Sequence, residues 1–347
     1  MTLQDYNNLF KLPVLKKLTL EFEGLGTEDN IILDNSNIVS ESMSLTKSLC
    51  SDSNLRYGRC EAACFKIRIA SDYHGQLEGL WLNVSMDVAT DSRGYLLAQD
   101  GSYIVTQDGK KIKLDDFDNP NVHIKIGRFK VYSSKPTNDR QWTDLVCYDL
   151  MYDILNADVS EWYKGWTLQP RTLKALRNSF FNYLGITQVS TTLINDWFNV
   201  FKGCTVDGTL SGKTVIEAIC EFNGVFGYIN SENEFAYKSL GEDSLTLDYY
   251  VDGTGSYEDY ETDYITGIRA IGSNEDAGTT VGTTDNLYIM DNNPLVYGRE
   301  GTVALENALN YLLDEVRFDS FRPFGVTTYG NPMLPLGTRI RDNTKNK

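Results

Sequence analysis

Histidine is almost missing: His74 and His123 are the two in a chain of 347 residues. Neither stands in His-Glu-x-x-His or another ligand spacing, so the sequence carries no histidine-dependent catalytic signature. His123 falls in the alternating run NVHIKIGRFKV and reads as an exposed or satisfied strand residue. No Gly-x-Ser-x-Gly elbow occurs either. Cysteine is sparse and scattered at Cys50, Cys60, Cys64, Cys147, Cys204 and Cys220, which excludes a secreted disulfide scaffold and leaves small buried hydrophobes as the expectation. Cys50, Cys60 and Cys64 match no common zinc spacing, and a fourth ligand such as His74 has to be invoked. No apolar run approaches the length of about 18 residues that a membrane-spanning helix needs, and the first residues lack a signal-peptide core. The expectation is a product folded in a cytoplasm, without membrane insertion. Positive charge is the last shortage: 32 Lys and Arg against 48 Asp and Glu give a net charge of −16, which disfavours sequence-specific nucleic-acid binding.

What is present is ordinary folded sequence, 41% hydrophobic and 23% charged, long enough for two or three domains. Acidic residues are abundant, but a catalytic carboxylate pair is defined by distance in space, and acids on strands read first as a solvated face. Aromatics are plentiful as well, with 21 Tyr and 15 Phe. In SEWYKGWTLQP the residues Trp162, Tyr163 and Trp166 lie close together and form the candidate interface set. A core or domain-junction cluster is the competing reading of the same three.

The stretch GTLSGKTVIEAICEFNG invites comparison with a phosphate-binding loop, which needs Gly-x-x-x-x-Gly-Lys-Ser/Thr. Gly208 and Gly212 are one residue too close, and Asp207 puts a negative charge where the anion would lie. The expected alternative is a glycine-containing loop opening a core helix, with Lys213 and Thr214 in its first turn. No cofactor and no metal are expected.

Periodicity divides the chain. In residues 1–131, LKKLTLEFEG alternates Leu18, Leu20 and Phe22 with polar residues, CFKIRIA does the same with Phe65, Ile67 and Ile69, and Asp108-Gly109 marks a hairpin turn. This region is expected to be a small β-barrel. Residues 132–240 mix types. DRQWTDLVCYD reads as a strand, and Asp149 caps a helix over LMYDILN. Pro170 suits the first turn of a helix carrying Leu173, Leu176, Phe180 and Leu184 up to Gly185. A further helix carries Val215, Ile216, Ile219 and Cys220, and GVFGYINSENEFAYKSL follows as a hairpin. Residues 241–347 return to β sequence around one helix, Val303 to Val316, while GSNEDAGTTVGTTDN is expected to be an exposed, mobile loop. The fold class is α+β, mainly β: two small β-barrel domains flanking an α/β domain.

Four runs resemble the N-terminal hub region of tail proteins from siphophages and prophages of Gram-positive bacteria, the group that includes baseplate hub and tail-associated lysin proteins. The most specific is IVSESMSLTKSLCSDSNLRYGRCEAACFKIRI, from Ile38 to Ile69. The second is IGRFKVYSSKPTNDRQWTDLVCYDLMYDI, similar to a barrel-closing strand followed by a strand and a short helix. The third is the helix and hairpin of KTVIEAICEFNG and VFGYINSENEFAYKSL. The fourth is VRFDSFRPFGVTTYGNPMLPLGTRI, with Gly330, Asn331 and Pro332 at its turn. Thr338 departs from the pattern, and the chain stops at RDNTKNK where further strands are expected, so the expectation is either a short hub or a truncated one with an incomplete last barrel.

The resemblance implies a structural virion protein and not an enzyme: a homotrimeric tail hub at the tail tip or baseplate that closes the tail tube. It implies that two related barrels per subunit match a six-fold tube to a three-fold tip. The implied partners are the tail tube or distal tail protein and a fibre, spike or lysin module; the net charge of −16 adds the separate expectation of an acidic channel that keeps passing DNA from adhering. A cell-wall glycan hydrolase or glycan-binding module of a tail tip is the alternative, and phage and tail-like particle both stay open.

Overall fold

The computed structural model describes residues 2–11, 15–24, 30–51, 55–70, 77–89, 104–110, 122–165, 171–200, 209–247, 255–257, 263–272, 278–317, 320, 322, 324–328 and 331–343. With 22% helix and 36% strand, the protein is mainly β with some helices, an α+β fold. The chain forms two compact units, each discontinuous in sequence: residues 1–45, 65–147 and 328–334 form the first, and residues 46–64, 148–327 and 335–347 the second.

The first unit holds helix α1 (Leu3–Lys11) and strands β1 (Leu15–Phe22), β2 (Ile31–Leu33), β3 (Ser44–Thr46), β4 (Cys64–Ala70), β5 (Trp81–Ala89), β6 (Val122–Pro136) and β7 (Trp142–Tyr148). They form one sheet in the order β2-β1-β5-β6-β7-β4-β3. Among the described residues this order is open, with β2 and β3 at its edges. The expected alternation is realised, because Leu18, Leu20 and Phe22 of β1 and Phe65, Ile67 and Ile69 of β4 are all buried.

One irregularity sets the face of β6. Against β5, Val84 pairs with Gly127 but Ser85 pairs with Lys125, so Ile126 is an extra residue in the ladder. The bulge flips the parity of burial from Ile124 and Ile126 before it to Phe129 and Val131 after it. Both halves of this long strand therefore face the core. On the other face, the Arg128 guanidinium is bidentate to Glu23 at 2.7 Å and lies 4.1 Å from the centre of the Trp81 ring. His123 is exposed, with Nδ1 2.7 Å from Asp87. The Asp108-Gly109 turn forms, Gly109 donating to the Thr106 carbonyl at 2.9 Å, while the flanking runs 100–103 and 111–121 lie outside the described residues.

The second unit contains helices α2 (Leu150–Asn156), α3 (Ser160–Gly165), α4 (Leu173–Leu184), α5 (Gly212–Glu221) and α6 (Val303–Val316). Its strands are β8 (Arg171–Thr172), β9 (Asn199–Val200), β10 (Phe226–Ile229), β11 (Phe235–Lys238), β12 (Ser244–Leu247), β13 (Ser256–Tyr257), β14 (Gly267–Ile271), β15 (Thr279–Gly282), β16 (Leu287–Asp291), β17 (Phe324–Gly325) and β18 (Arg339–Asp342). Asp149 caps α2 by accepting from the Met151 N–H at 3.1 Å. α4 ends at Gly185 as expected, but its N-cap is Thr172, and Pro170 lies outside the described residues. α5 is followed by the antiparallel β10–β11 hairpin. Gly224, at φ +67°, makes that exit possible: a Cβ there would stand 2.8 Å from Leu312 and 2.9 Å from Val316 of α6. α6 has the expected bounds and buries the expected stripe, Leu305, Ala308, Leu309, Leu312 and Val316.

One expectation is corrected. Part of GSNEDAGTTVGTTDN is strand β15, antiparallel to β14, with Thr279 and Val281 buried and Thr280 exposed. Its β-branched alternation outweighed the surrounding polar and glycine residues. Residues 273–277 of the same run lie outside the described residues.

Candidate functional site

The near-match to a phosphate loop is the natural starting point, and its backbone is already occupied. The Leu210 N–H donates to Ser160 Oγ at 2.7 Å, the Gly212 N–H to the Ala157 carbonyl at 2.8 Å, and the Thr214 N–H to the N-cap hydroxyl of Ser211 at 3.3 Å. Donors committed in this way do not converge on an anion. Lys213 and Thr214 sit in the first turn of α5, as the sequence suggests, while Asp207 and Gly208 fall outside the described residues.

The side chains of this helix instead border a cavity of about 220 Å³. Its wall combines Arg56 and Arg59 from the segment before β4, Lys213, Glu217 and Glu221 from α5, and Asp291 from the end of β16. Three cations thus face three anions, and they pair among themselves. Arg59 Nη1 lies 2.9 Å from Glu217, Arg56 Nη2 lies 2.8 Å from Asp291, and Lys213 Nζ approaches Glu217 at 3.9 Å. Glu221 is the deepest member, and it accepts from the Tyr288 hydroxyl and the Asn293 amide, each at 2.9 Å. Burial pushes both the Glu217 and Glu221 carboxyls above the usual range, against the pull of the neighbouring arginines and hydrogen bonds. Burial and the adjacent Glu221 raise the Tyr288 phenol in turn.

Gly58 brings the wall together. Its φ is +84°, and a Cβ there would lie 2.4 Å from Glu221 Cβ. Only a glycine lets the segment carrying Arg56 and Arg59 press so closely on α5. Tyr57 beside it is buried, tilted on Phe226 at 5.6 Å and edge-on to Tyr288 at 5.5 Å. Chemically the arrangement is a neutralised ion network that ties this segment, α5 and the end of β16 together. Sequence reasoning missed Arg56, Arg59, Glu217 and Asp291 as one group, since they are distant in the chain and no motif spaces them.

The three residues of the candidate interface set have different placements. Trp162 is 7% exposed, donates its indole N–H to Ser179 Oγ at 3.0 Å and meets Phe180 edge-on at 5.4 Å. Its own chain covers nearly all of it. Tyr163 is half-buried against the same core, and Trp166 lies outside the described residues. Of the cysteines weighed as ligands, Cys60 packs beside Cys220 with Sγ atoms 3.9 Å apart, and Cys50 and Cys64 are half-buried. His74 lies outside the described residues. Among the described residues no group of three or more His, Cys, Asp or Glu side chains is placed to hold a metal.

No family model and no curated protein matches this chain. Among solved structures it is similar to the 43 kDa tail protein of prophage MuSo2 from Shewanella oneidensis, at a TM-score of 0.47 and 10% identity over 94% of this chain and 87% of that one. It is similar to a tail protein from Neisseria meningitidis, at a TM-score of 0.46 and 9% identity over the same shares, 94% and 87%. A third is the prophage tail protein gp18 from Listeria monocytogenes, at 0.44 and 11% identity over 84% of this chain and 76% of that one. Similarity at this level does not transfer a function.

Proposed function

We propose that this chain is a structural component of a phage-type tail, the hub that closes the tube at the tip. In this reading three copies form a closed ring. Each contributes two β modules, one in residues 1–131 and one in 241–347, around the α/β region 132–240, so that three subunits offer six related faces to a six-fold tube. The modules act as barrels within that ring. Its partners are the tube or distal tail protein on one side and a fibre, spike or lysin module on the other.

The observation that carries the reading is where the four resembling runs fall. The run from Ile38 to Ile69 ends in β4, the second spans β6, β7 and the Asp149-capped α2, and the third is α5 with its β10–β11 hairpin. The fourth includes a turn in which the Asn331 carbonyl accepts from the Leu334 N–H at 3.2 Å, and it leads into β18. The ion network around α5 fits the same reading, because its paired charges tie three segments of one unit together. Closed symmetry would also cover the open edges of the first sheet.

The test is assembly. Light scattering of the full chain, alone and mixed with the tube or distal tail protein of the same particle, should show a trimer in at least one condition. A monomer in both, at high concentration, counts against the proposal.

A further inference from the structure

An exposed aromatic pair in the second unit, separate from both the ion network and the Trp162 cluster, has the features of a binding site. Trp197 is 43% exposed and Tyr311 of α6 is 55% exposed, with ring centroids 6.1 Å apart and planes at 83°. They form a right-angled corner. Neither the Trp197 indole N–H nor the Tyr311 hydroxyl is engaged by another described residue. Large rings usually bury more of their faces and satisfy their polar edges, whereas this pair is half exposed and, among the described residues, leaves both polar edges open.

The corner is also rigid. Asn195 is completely buried and donates its amide to the Phe222 carbonyl at 2.7 Å and to the Ala308 carbonyl at 3.2 Å. Its own N–H donates to Asn223 Oδ1 at 2.9 Å. These bonds pin the turn that bears Trp197 to the backbone of α6, one helical turn before Tyr311. Phe198, the next residue, is buried against Phe222 at 4.8 Å and anchors the other side. The backbone that carries the two rings is therefore fixed before a ligand arrives.

The surroundings select the ligand. On the face of α6 that carries Tyr311, the exposed neighbours are Asn307, Asn310, Asp314 and Glu315, all polar. The next exposed apolar side chain on the helix is Val303, eight residues and about 12 Å away. Among the described residues of this helix face the apolar area is the two rings, much smaller than the apolar centre of a protein interface burying about 1,000 Å² or more. A pyranose ring has an apolar C–H face of that size and a rim of hydroxyls. It would lie on one aromatic face while the indole N–H, the phenol and the flanking amides and carboxylates bond its rim. We infer that the Trp197–Tyr311 corner binds a carbohydrate chain, contacting one or two pyranose units. This goes beyond the tail-hub reading and does not depend on it, because adhesion to a glycan and assembly into a ring are separate properties.

The experiment uses the full chain and defined hexasaccharides of β-1,4-linked glucose, β-1,4-linked N-acetylglucosamine and α-1,4-linked glucose, titrated by tryptophan fluorescence and calorimetry. At least one should bind saturably and shift the emission. W197A and Y311A should each weaken binding about tenfold, as expected for truncating a central aromatic contact, while K66A on an exposed position of β4 leaves it unchanged. Melting curves of all variants keep affinity apart from folding, and if W197A fails to fold, Y311A on its exposed helix face decides. Absence of binding to every hexasaccharide, or equal affinity in W197A and Y311A, overturns the inference. Protection of Trp197 by a tail protein partner and by no saccharide overturns it too.

Discussion

In the first unit the described buried polar side chains are Asn7, Ser134 and Thr143, and the remaining buried side chains are apolar. The second unit buries Arg177, Asp196, Asn195, Asn223, Asn293 and Glu221. In the second unit these groups form connected sets. Arg177 is bidentate to Asp196 at 2.8 and 2.7 Å and also donates to Gln188 and to the Thr191 carbonyl. Asn195 and Asn223 fasten the neighbouring turn to α5 and α6. The difference follows from geometry. A sheet with one buried face satisfies its own backbone and needs only an apolar side-chain set, whereas short helices joined by irregular turns leave backbone groups inside that side chains must answer.

The largest expected effect breaks this comparison at its strongest point. R177M leaves the Asp196 carboxylate buried without its cation and should cost about 3–5 kcal/mol in denaturant unfolding of the full chain. Next, L20A removes a side chain with 0% exposure from the first sheet and should cost about 3 kcal/mol through its cavity. A loss for R177M well below that of L20A would mean the second unit is not held from within by its polar sets.

The comparison can be sharpened by pH. Burial pushes the Asp149 carboxyl up to about 7 from an ordinary 3.8, although it accepts from backbone N–H groups and faces Lys47. A carboxyl that binds its proton more tightly when folded gives stability at low pH and loses it as pH rises between the two values. The wild type should therefore lose stability relative to D149N from about pH 4 to about pH 7, since Asn is an equally good cap and does not titrate. Parallel pH curves for the two proteins would remove the argument. The smallest effect belongs to the outer face of the first sheet, where Arg68 and Asp144 pair at 2.7 Å but stay 42% and 48% exposed. D144N should change stability least of the four substitutions, and added salt should shrink even that.

How much of this was legible in the sequence divides along the same line. The alternation in LKKLTLEFEG and CFKIRIA identified the buried faces of β1 and β4 residue by residue, because a period of two needs no tertiary information. The stripe of α6 and the Asp149 cap were equally local. The parity flip at Ile126 was not, since a bulge in NVHIKIGRFKV is set by the partner strand. Strand β15 was hidden because Gly, Thr and Asp around it are turn residues, and its burial comes from β14 and α6, distant in sequence. The ion network and the Trp197–Tyr311 corner were illegible for that reason too: each joins residues from segments that no motif links. Gly58 is the clearest case, a residue whose importance lies in its positive φ and in how closely Glu217 and Glu221 approach it.

The most direct test of the central claim is the stoichiometry of the assembled particle. The full chain should be mixed with the tube or distal tail protein proposed as its partner, its mass measured by light scattering and its symmetry by electron microscopy of the product. The account predicts a closed three-fold ring with six similar β modules facing the tube. A lone subunit, or a ring whose modules point in unrelated directions, would contradict it.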